Sequence, residues 1–291
     1  MVKQNLLIHL CLDGASPVVE SQVIDHLRAL HKHPGAPSVD LIVLGRPPAD
    51  PRGTLFDPAR RKLLSDGIGG TFIAHTFSFA PFALLLALMA LFRLTFPRCL
   101  TRRPVIHARA RDAAMVASLF KWLCLGRPRV LFDVRGETFS ELEERLNTPS
   151  ETRNRFSIRF ALALERVIVR FCLKSADRVL YVTNALRRSV EKRFPFAARK
   201  HGLTIPCLSD EEKFHPDPAL RDAARAELGF TPRDKVLLYA GGFQWYQCVD
   251  EMLELFRLMR EKDQSVRFLF ITAREHHDDM RARLSKIAPP G

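Results

Sequence analysis

Short apolar segments alternate with longer amphipathic ones along the first two thirds of the chain. The apolar segments have the length and composition of buried β-strands. They fall at residues 6–12, 39–45, 104–108, 129–134 and 177–183. The segments between them, such as residues 18–32, have the periodicity of helices. Alternating strands and helices are typical of a parallel sheet covered on both faces, so the pattern predicts an α/β, Rossmann-like domain over residues 1–200.

The same alternation starts again after residue 200. A polar linker at 207–218 is followed by a helical pattern at 219–230. Two further strands are then predicted to alternate with two helices, at 235–240, 249–262, 266–272 and 275–287. A doubly wound sheet usually has about four or more strands. We therefore expect residues 201–291 to form a second, incomplete Rossmann-like domain.

Residues 72–92 contain no Asp, Glu, Lys or Arg and are long enough to cross a bilayer. A single crossing would separate strands of one sheet, and Pro81 divides the segment, so a membrane span is disfavoured. Two interpretations stay open. The segment is either a buried helix of the first domain or a helix in the membrane interface. In the second case lipid phosphates would bind the arginines that follow it, Arg93, Arg98, Arg102 and Arg103.

A second basic feature lies in the predicted helix at 154–177. Its arginines share about 60° of arc at helical spacing. They are Arg155, Arg159, Arg166 and Arg170. This stripe is either a solvated helix face or a surface that contacts an anionic membrane or the phosphate of an acceptor.

The chain carries 45 Lys and Arg against 32 Asp and Glu, a formal charge of +13, which favours anionic partners. Nucleic acid is disfavoured as that partner, because only 3 Tyr and 2 Trp are available to stack on bases and no known module is visible. A nicotinamide-dependent dehydrogenase is disfavoured too, since no G-x-G-x-x-G follows the first strand. The six cysteines have no CxxC spacing, so neither a zinc knuckle nor a redox motif is visible. Most of them lie inside apolar segments, which indicates buried, reduced thiols in a cytoplasmic protein.

Five stretches, in matching order, resemble the family-4 retaining glycosyltransferases, which have the two-domain GT-B architecture. Each stretch is similar to a motif of that family. They are VIHARARDAAMVASLF (105–120), LFDVRGETFSELEER (131–145), SADRVLYVTNALRRSVEKRF (175–194), TIPCLSDEEKFHPD (204–217) and KVLLYAGGFQWYQCVDEML (235–253). The stretch at 131–145 resembles a motif found in the branch of the family that builds surface polysaccharides.

The resemblance implies transfer of a sugar from a nucleotide-sugar donor to a polysaccharide or lipid-linked acceptor, in the synthesis of cell-envelope glycans. It implies that neither a metal ion nor another cofactor is required. The first domain would bind the acceptor and the second the donor. Independently of the resemblance, an apolar helix and two basic clusters belong to the same domain. We therefore expect residues 79–103 and the stripe from Arg155 to Lys174 to attach the protein peripherally to the inner face of an anionic membrane.

The donor-side residues implied by the resemblance are Gly14, Gly241, Gly242 and Gln247. Family members place an Arg after the first glycine of the second-domain turn and a Lys before a later glycine. Here those positions hold Gly242 and Gln247, and Cys248 replaces the later glycine. The family's E-x7-E carboxylate pair would lie beyond residue 291. We therefore expect weak turnover or none from this chain alone, and a non-catalytic transferase that binds membrane or acceptor is the alternative.

The acceptor-side candidates lie where two predicted strands end. His107 and Arg109 close the strand at 104–108, and Arg135 and Glu137 follow the strand at 129–134. Ligands bind at the carboxyl edge of such sheets. Arg135 falls near the position where family members have an acceptor-side histidine or acid, and Glu137 is placed to orient an acceptor hydroxyl. With His107 they are the catalytic candidates, and the alternative for each is loop capping or a surface ion pair. Arg109 is expected to contact the acceptor or the membrane together with the arginine stripe.

Overall fold

In the computed structural model of the chain, some segments are described and others are not. The described residues are 6–12, 19–45, 63, 66–74, 80–136, 138–147, 155–207, 214–242, 247–272 and 276–287. The chain divides into two compact units, residues 1–208 and 209–291.

The first unit contains seven parallel strands in one sheet. They are β1 (Leu6–Cys11), β2 (Ser38–Gly45), β3 (Gly69–Ala74), β4 (Val105–Arg109), β5 (Arg129–Val134), β6 (Arg178–Tyr181) and β7 (Gly202–Thr204). Their order across the sheet is β3-β2-β1-β4-β5-β6-β7. The predicted α/β class with a parallel sheet is confirmed, and all five predicted strands are present with ends within two residues of those expected.

Helices follow most of the strands. In the first unit they are α1 (Asp25–Lys32), α2 (Ala80–Thr101), α3 (Ala110–Leu123), α4 (Thr138–Asn147), α5 (Arg155–Ser175) and α6 (Asn184–Arg193). A π-helical turn, Glu20–Ile24, leads into α1, and a 3-10 turn, Pro195–Arg199, follows α6. Thr183 caps α6 by accepting a hydrogen bond from the backbone N–H of Leu186 at 3.0 Å.

The helices form two layers on opposite faces of the sheet. Alternate side chains of β1 and β2 point to opposite faces, so each strand contributes to two cores. Ile8, for example, belongs to the core under α2, α3 and α5, while Cys11 packs on the side of α1. The buried polar residues of β1, β4 and β5, His9, His107, Arg109 and Asp133, alternate with residues of that first core and therefore point to the α1 side.

Two strands of the sheet were not predicted. Gly69–Ala74 forms β3, although it includes the first residues of the apolar segment interpreted as a helix. Gly202–Thr204 forms β7 and pairs with β6, so the first sheet continues beyond the predicted boundary at residue 200. The glycine pair of β3 and the three-residue length of β7 explain why neither has the pattern of a strand.

The apolar segment is therefore part strand and part helix. Residues 81–101 are the stretch of the described chain that is long and apolar enough to cross a bilayer, and 28% of its most apolar window is buried. However, β3 and β4 lie on either side of α2 in the sequence and belong to the same sheet. That topology is incompatible with a crossing by α2, whose inner side chains, such as Leu91, are fully buried against the sheet.

The second unit repeats the strand–helix pattern on a smaller scale. Its described elements are α7 (Pro218–Glu227), β8 (Lys235–Ala240), α8 (Val249–Lys262), β9 (Val266–Ile271) and α9 (His277–Ile287). β8 and β9 pair in parallel. Leu253 of α8 and Met280 of α9 are buried in its core. The expectation that this unit is an incomplete domain stays a prediction.

Candidate functional site

Polar side chains interrupt three neighbouring strands of the first sheet on the same face. His9 of β1 lies opposite His107 of β4, and Arg109 of β4 lies opposite Asp133 of β5. All four residues are buried. Because parallel sheets covered on both faces are normally apolar, a buried polar row of this kind indicates a site rather than plain packing.

Asp133 is the anchor of the row. Its Oδ2 lies 3.2 Å from His107 Nε2 and accepts a hydrogen bond of 2.8 Å from Arg135 Nε. Burial favours the neutral acid, but the contacts with His107 and Arg135 outweigh it and lower the pKa of Asp133. The carboxylate is therefore charged at neutral pH, and it fixes the orientation of both partners.

His9 lies against the other side of this cluster. Its ring centre is 4.3 Å from that of His107. Burial, and then the neighbouring His107, lower the pKa of His9 well below its ordinary value. Neither ring nitrogen has a hydrogen-bond partner among the described residues. Hence His9 is a neutral, buried imidazole next to the anchored pair.

Arg109 marks the point where β4 turns into α3. Its Nη2 donates a hydrogen bond of 2.8 Å to Gln22 Oε1 in the π-helical turn. The next residue, Ala110, has a left-handed φ of 63°. Non-glycine residues avoid this region, and strained backbone often accompanies a binding site. The strained junction lets the chain turn directly from the strand into the helix.

A cavity of about 390 Å³ opens at the carboxyl edge of the sheet. Arg109, Arg111 and Arg135 line it, together with Asp112 and Glu165. Glu165 is buried on α5 and forms an ion pair with Arg111, whose Nη2 also lies 2.6 Å from Asp112. The cavity thus presents arginine N–H groups together with carboxylates, a combination that suits hydroxyl-rich or phosphorylated ligands.

The second unit has a turn between β8 and α8. Tyr239 Oη lies 2.6 Å from the carbonyl oxygen of Gly242 and also contacts the side-chain amide of Gln247. A Cβ on Gly241 would meet the Tyr239 hydroxyl at 2.7 Å, so the close packing requires glycine there. Cys248 has a left-handed φ of 52°. This conformation is one that glycine adopts readily, in agreement with the glycine expected at this position.

The structure brings some of the predicted residues together and separates others. Arg109 and Arg135 line the cavity at the carboxyl edge of the first sheet, and His107 lies in the middle of β4 against Asp133, which also holds Arg135. Gly241, Gly242 and Gln247 lie in the turn of the second unit. The arginine stripe lies on the exposed face of α5. Gly14 and Glu137 lie outside the described residues.

Sequence reasoning missed several members of the site. Asp133 lies within the motif at 131–145 but was not predicted to be a site residue, and neither was His9. Gln22, Arg111 and Glu165 were not singled out. A signal was present, because His9 and Asp133 are polar residues inside otherwise apolar strands. Once β1, β4 and β5 are known to lie side by side, the residues next to His9 and Asp133 can be identified.

No protein-family model and no curated protein matches the sequence. Solved structures do match its fold. A glycosyltransferase from Rickettsia africae aligns with a TM-score of 0.58 at 13% identity, over 98% of this chain and 65% of that one. The chain has a GT-B-like fold.

Two further structures support that assignment of the fold. An E. coli structure described as trehalose-6-phosphate bound with UDP-2-fluoro glucose aligns with a TM-score of 0.57 at 12% identity, over 97% of this chain and 69% of that one. The S. aureus MnaA–UDP co-structure aligns with a TM-score of 0.54 at 10% identity, over 98% and 66%. This GT-B-like chain thus spans about two thirds of the length of the chains it matches.

Proposed function

We propose that this chain is a glycosyltransferase-like protein that transfers a sugar from a nucleotide-sugar donor to a polysaccharide or lipid-linked acceptor. The observation that carries the proposal is the anchored cluster of His107, Asp133 and Arg135 beside the arginine-lined cavity of a GT-B-like fold. Two of the matched structures contain UDP or a UDP-sugar, which supports a nucleotide-sugar partner. The resemblance to family 4 further supports a transfer that retains the stereochemistry of the sugar and that contributes to the synthesis of cell-envelope glycans.

We propose the following roles for residues of the first unit. Asp133 is buried and holds Arg135, whose Nη1 is also 3.4 Å from Cys207 Sγ. Arg135 lines the cavity and would bind the acceptor or the developing charge of the leaving phosphate. His107 is buried beside Asp133 and would act as a positioning residue behind Arg135. Glu137 would orient the acceptor hydroxyl.

The donor would bind at the turn of the second unit, with backbone N–H groups and the helix N-terminus of α8 near the diphosphate. Gly241 and Gly242 would allow the close approach of the phosphate, as Gly14 would in the first unit. No metal ion is part of this proposal. The membrane, if the protein attaches to it, would supply the lipid-linked acceptor.

A second candidate is a transferase-like protein that binds acceptor without turnover. The specific observation in its favour is that the described part of the turn contains no lysine or arginine, and its glutamine, Gln247, contacts Tyr239. A neutral amide does not compensate the charge of a diphosphate. A lost charge-assisted contact costs about 1.5–3 kcal/mol.

Calorimetric titration separates the two candidates. The purified chain is titrated with UDP-, GDP- and ADP-sugars and, separately, with lipid-linked acceptors. The transferase predicts saturable binding of at least one nucleotide sugar, weakened when the donor is replaced by the free sugar. Binding of acceptor alone would favour the second candidate, and binding of neither would contradict both.

A further inference from the structure

The exposed face of α5 carries two different stripes. One consists of apolar side chains that are largely exposed: Phe156 (84%), Phe160 (64%), Leu164 (48%) and Val167 (65%). The other is the arginine stripe, Arg155, Arg159, Arg166 and Arg170, which is also exposed. At about 100° per residue the two stripes lie side by side along the helix. The inner face of α5, with Ile158, Cys172 and Leu173, is buried against the sheet layer.

The arginine stripe lies on one flank of α5. A hydrogen bond from Arg193 and, more weakly, the charge of Arg166 lower the pKa of Glu143 on α4. The guanidinium of Arg170 lies 5.6 Å from the ring centre of Phe196. These neighbours place the arginine stripe on the side of α4 and the 3-10 turn. The apolar stripe lies about opposite the buried face of α5 and therefore points away from the sheet.

The apolar surface continues onto α3 and α2. α3 exposes Leu119 and Trp122, the latter by 73%. α2 packs beside α3, where the rings of Phe92 and Phe120 are 4.9 Å apart. At helical spacing α2 exposes Leu85, Met89, Phe96 and Leu100. An exposed apolar area spread over three adjacent helices indicates a surface that is covered by a partner.

We propose that the outer surface of α2, α3 and α5, the α2–α3–α5 surface, docks on an anionic bilayer. The apolar side chains would enter the interface between headgroups and acyl chains, and the flanking arginines would contact lipid phosphates. Charge complementarity favours a membrane over a second copy of the chain, because a second copy would bring one arginine stripe close to another. Among the described residues, no ion pair neutralises Arg159, Arg166 or Arg170, so these cations can meet lipid anions.

The proposal goes beyond glycosyl transfer, and its test needs neither donor nor acceptor. The full chain is sedimented with vesicles of neutral lipid alone and with vesicles that also contain acidic lipid. We expect the chain to leave solution with the acidic vesicles and to return largely at about 0.5 M salt, because exposed charges are screened there. Replacing the two arginines in R159Q/R166Q should weaken binding to acidic vesicles roughly tenfold or more.

Matched variants test whether vesicle binding depends on the α2–α3–α5 surface. R28Q/K32Q removes the same charge from α1, on the opposite face of the sheet, and should bind nearly as the parent does. F156S/F160S should weaken binding to both kinds of vesicle while leaving the melting temperature unchanged, since both rings project from the surface. Equal binding to neutral and acidic vesicles would overturn the proposal, as would parent-like binding by R159Q/R166Q or F156S/F160S. A parent dimer that F156S/F160S converts to a monomer would assign the surface to a second copy and overturn it too.

Discussion

His107 and Asp133, on adjacent strands, approach to 3.2 Å between Nε2 and Oδ2 inside the first sheet. The same carboxylate oxygen holds Arg135, so one buried acid links a buried imidazole to a guanidinium at the cavity. Removing the acid therefore affects two partners at once. This coupling makes Asp133 the residue whose replacement tests the site most severely.

We predict that Asp133→Asn lowers the free energy of unfolding by about 2–4 kcal/mol. The amide keeps the shape but leaves the half-buried Arg135 guanidinium and the buried His107 ring without their carboxylate, and removing one partner of a buried pair outright commonly costs about 3–5 kcal/mol. Urea unfolding followed by circular dichroism measures the change. Asp112→Asn is the matched control, because that carboxylate is partly exposed and should cost less than about 1 kcal/mol. Equal losses for both variants would contradict the assignment of Asp133 as anchor.

The stability of the first unit should fall as the pH is lowered from 7.5 to 5.5. His9 has a folded-state pKa below its unfolded value, so the unfolded chain takes up its proton first. Stability is therefore full above the unfolded pKa of about 6.5 and is lost as the pH falls below it, by up to about 1.4 kcal/mol per pH unit from this one group.

His9→Leu should remove that part of the pH dependence, because a buried apolar side chain of similar size replaces the neutral imidazole. Urea unfolding at both pH values measures the difference. The control His201→Leu changes an exposed histidine and should leave the pH dependence as it is in the parent. If His9→Leu retains the full acid-induced loss, His9 is not its source.

The left-handed backbone conformation of Ala110 predicts that replacing this residue by glycine stabilises the folded protein. Ala110→Gly should raise the free energy of unfolding by about 0.5–1 kcal/mol, because the strain of a Cβ at φ 63° outweighs the extra freedom of glycine in the unfolded chain. Ala163→Gly, an exposed position inside α5, should instead lower it by about 1 kcal/mol. Thermal melting of the two variants should therefore shift in opposite directions, and shifts of the same sign would exclude strain at Ala110.

The sequence of the turn in the second unit predicts that adding a cation there strengthens donor binding. Gln247→Lys combined with Cys248→Gly supplies a cation and a residue that adopts a φ of 52° without strain. The double variant should bind UDP at least about tenfold more tightly than the parent, in line with one added charge-assisted contact. Calorimetric titration with UDP measures the change. Gln264→Lys adds the same charge at an exposed position of the same unit. If Gln264→Lys tightens UDP binding as much as the double variant does, the tighter binding is caused by net charge and not by the turn.

Parts of this architecture could be predicted because local sequence determines them. The strand around Ile8 and the one around Phe132 are apolar and short, and the helix over residues 249–262 is amphipathic from end to end. In contrast, β3 begins with Gly69 and Gly70 and runs into an apolar segment of helical length, so its local pattern is ambiguous.

The site could be predicted only in part, because it depends on pairing between distant strands. His107 and Arg135 follow from their places at strand ends. The contact of His9 with His107 requires β1 and β4 to be neighbours in register, although about a hundred residues separate them. Asp133 gains its importance from burial, which a sequence does not display. For the same reason the exposure of Phe156 beside the arginine stripe was not expected.

The most direct test of the proposed function is acceptor-dependent release of nucleoside diphosphate. The chain is incubated with nucleotide sugars and lipid-linked or polysaccharide acceptors, beside the variant Arg135→Gln. The account predicts release above the protein-free background at a rate well below about 1 per second, since the described turn lacks a cation for the leaving diphosphate. Arg135→Gln should abolish that release. Background rates with every donor and acceptor, or equal rates for the parent and Arg135→Gln, would contradict the assignment of this site to glycosyl transfer.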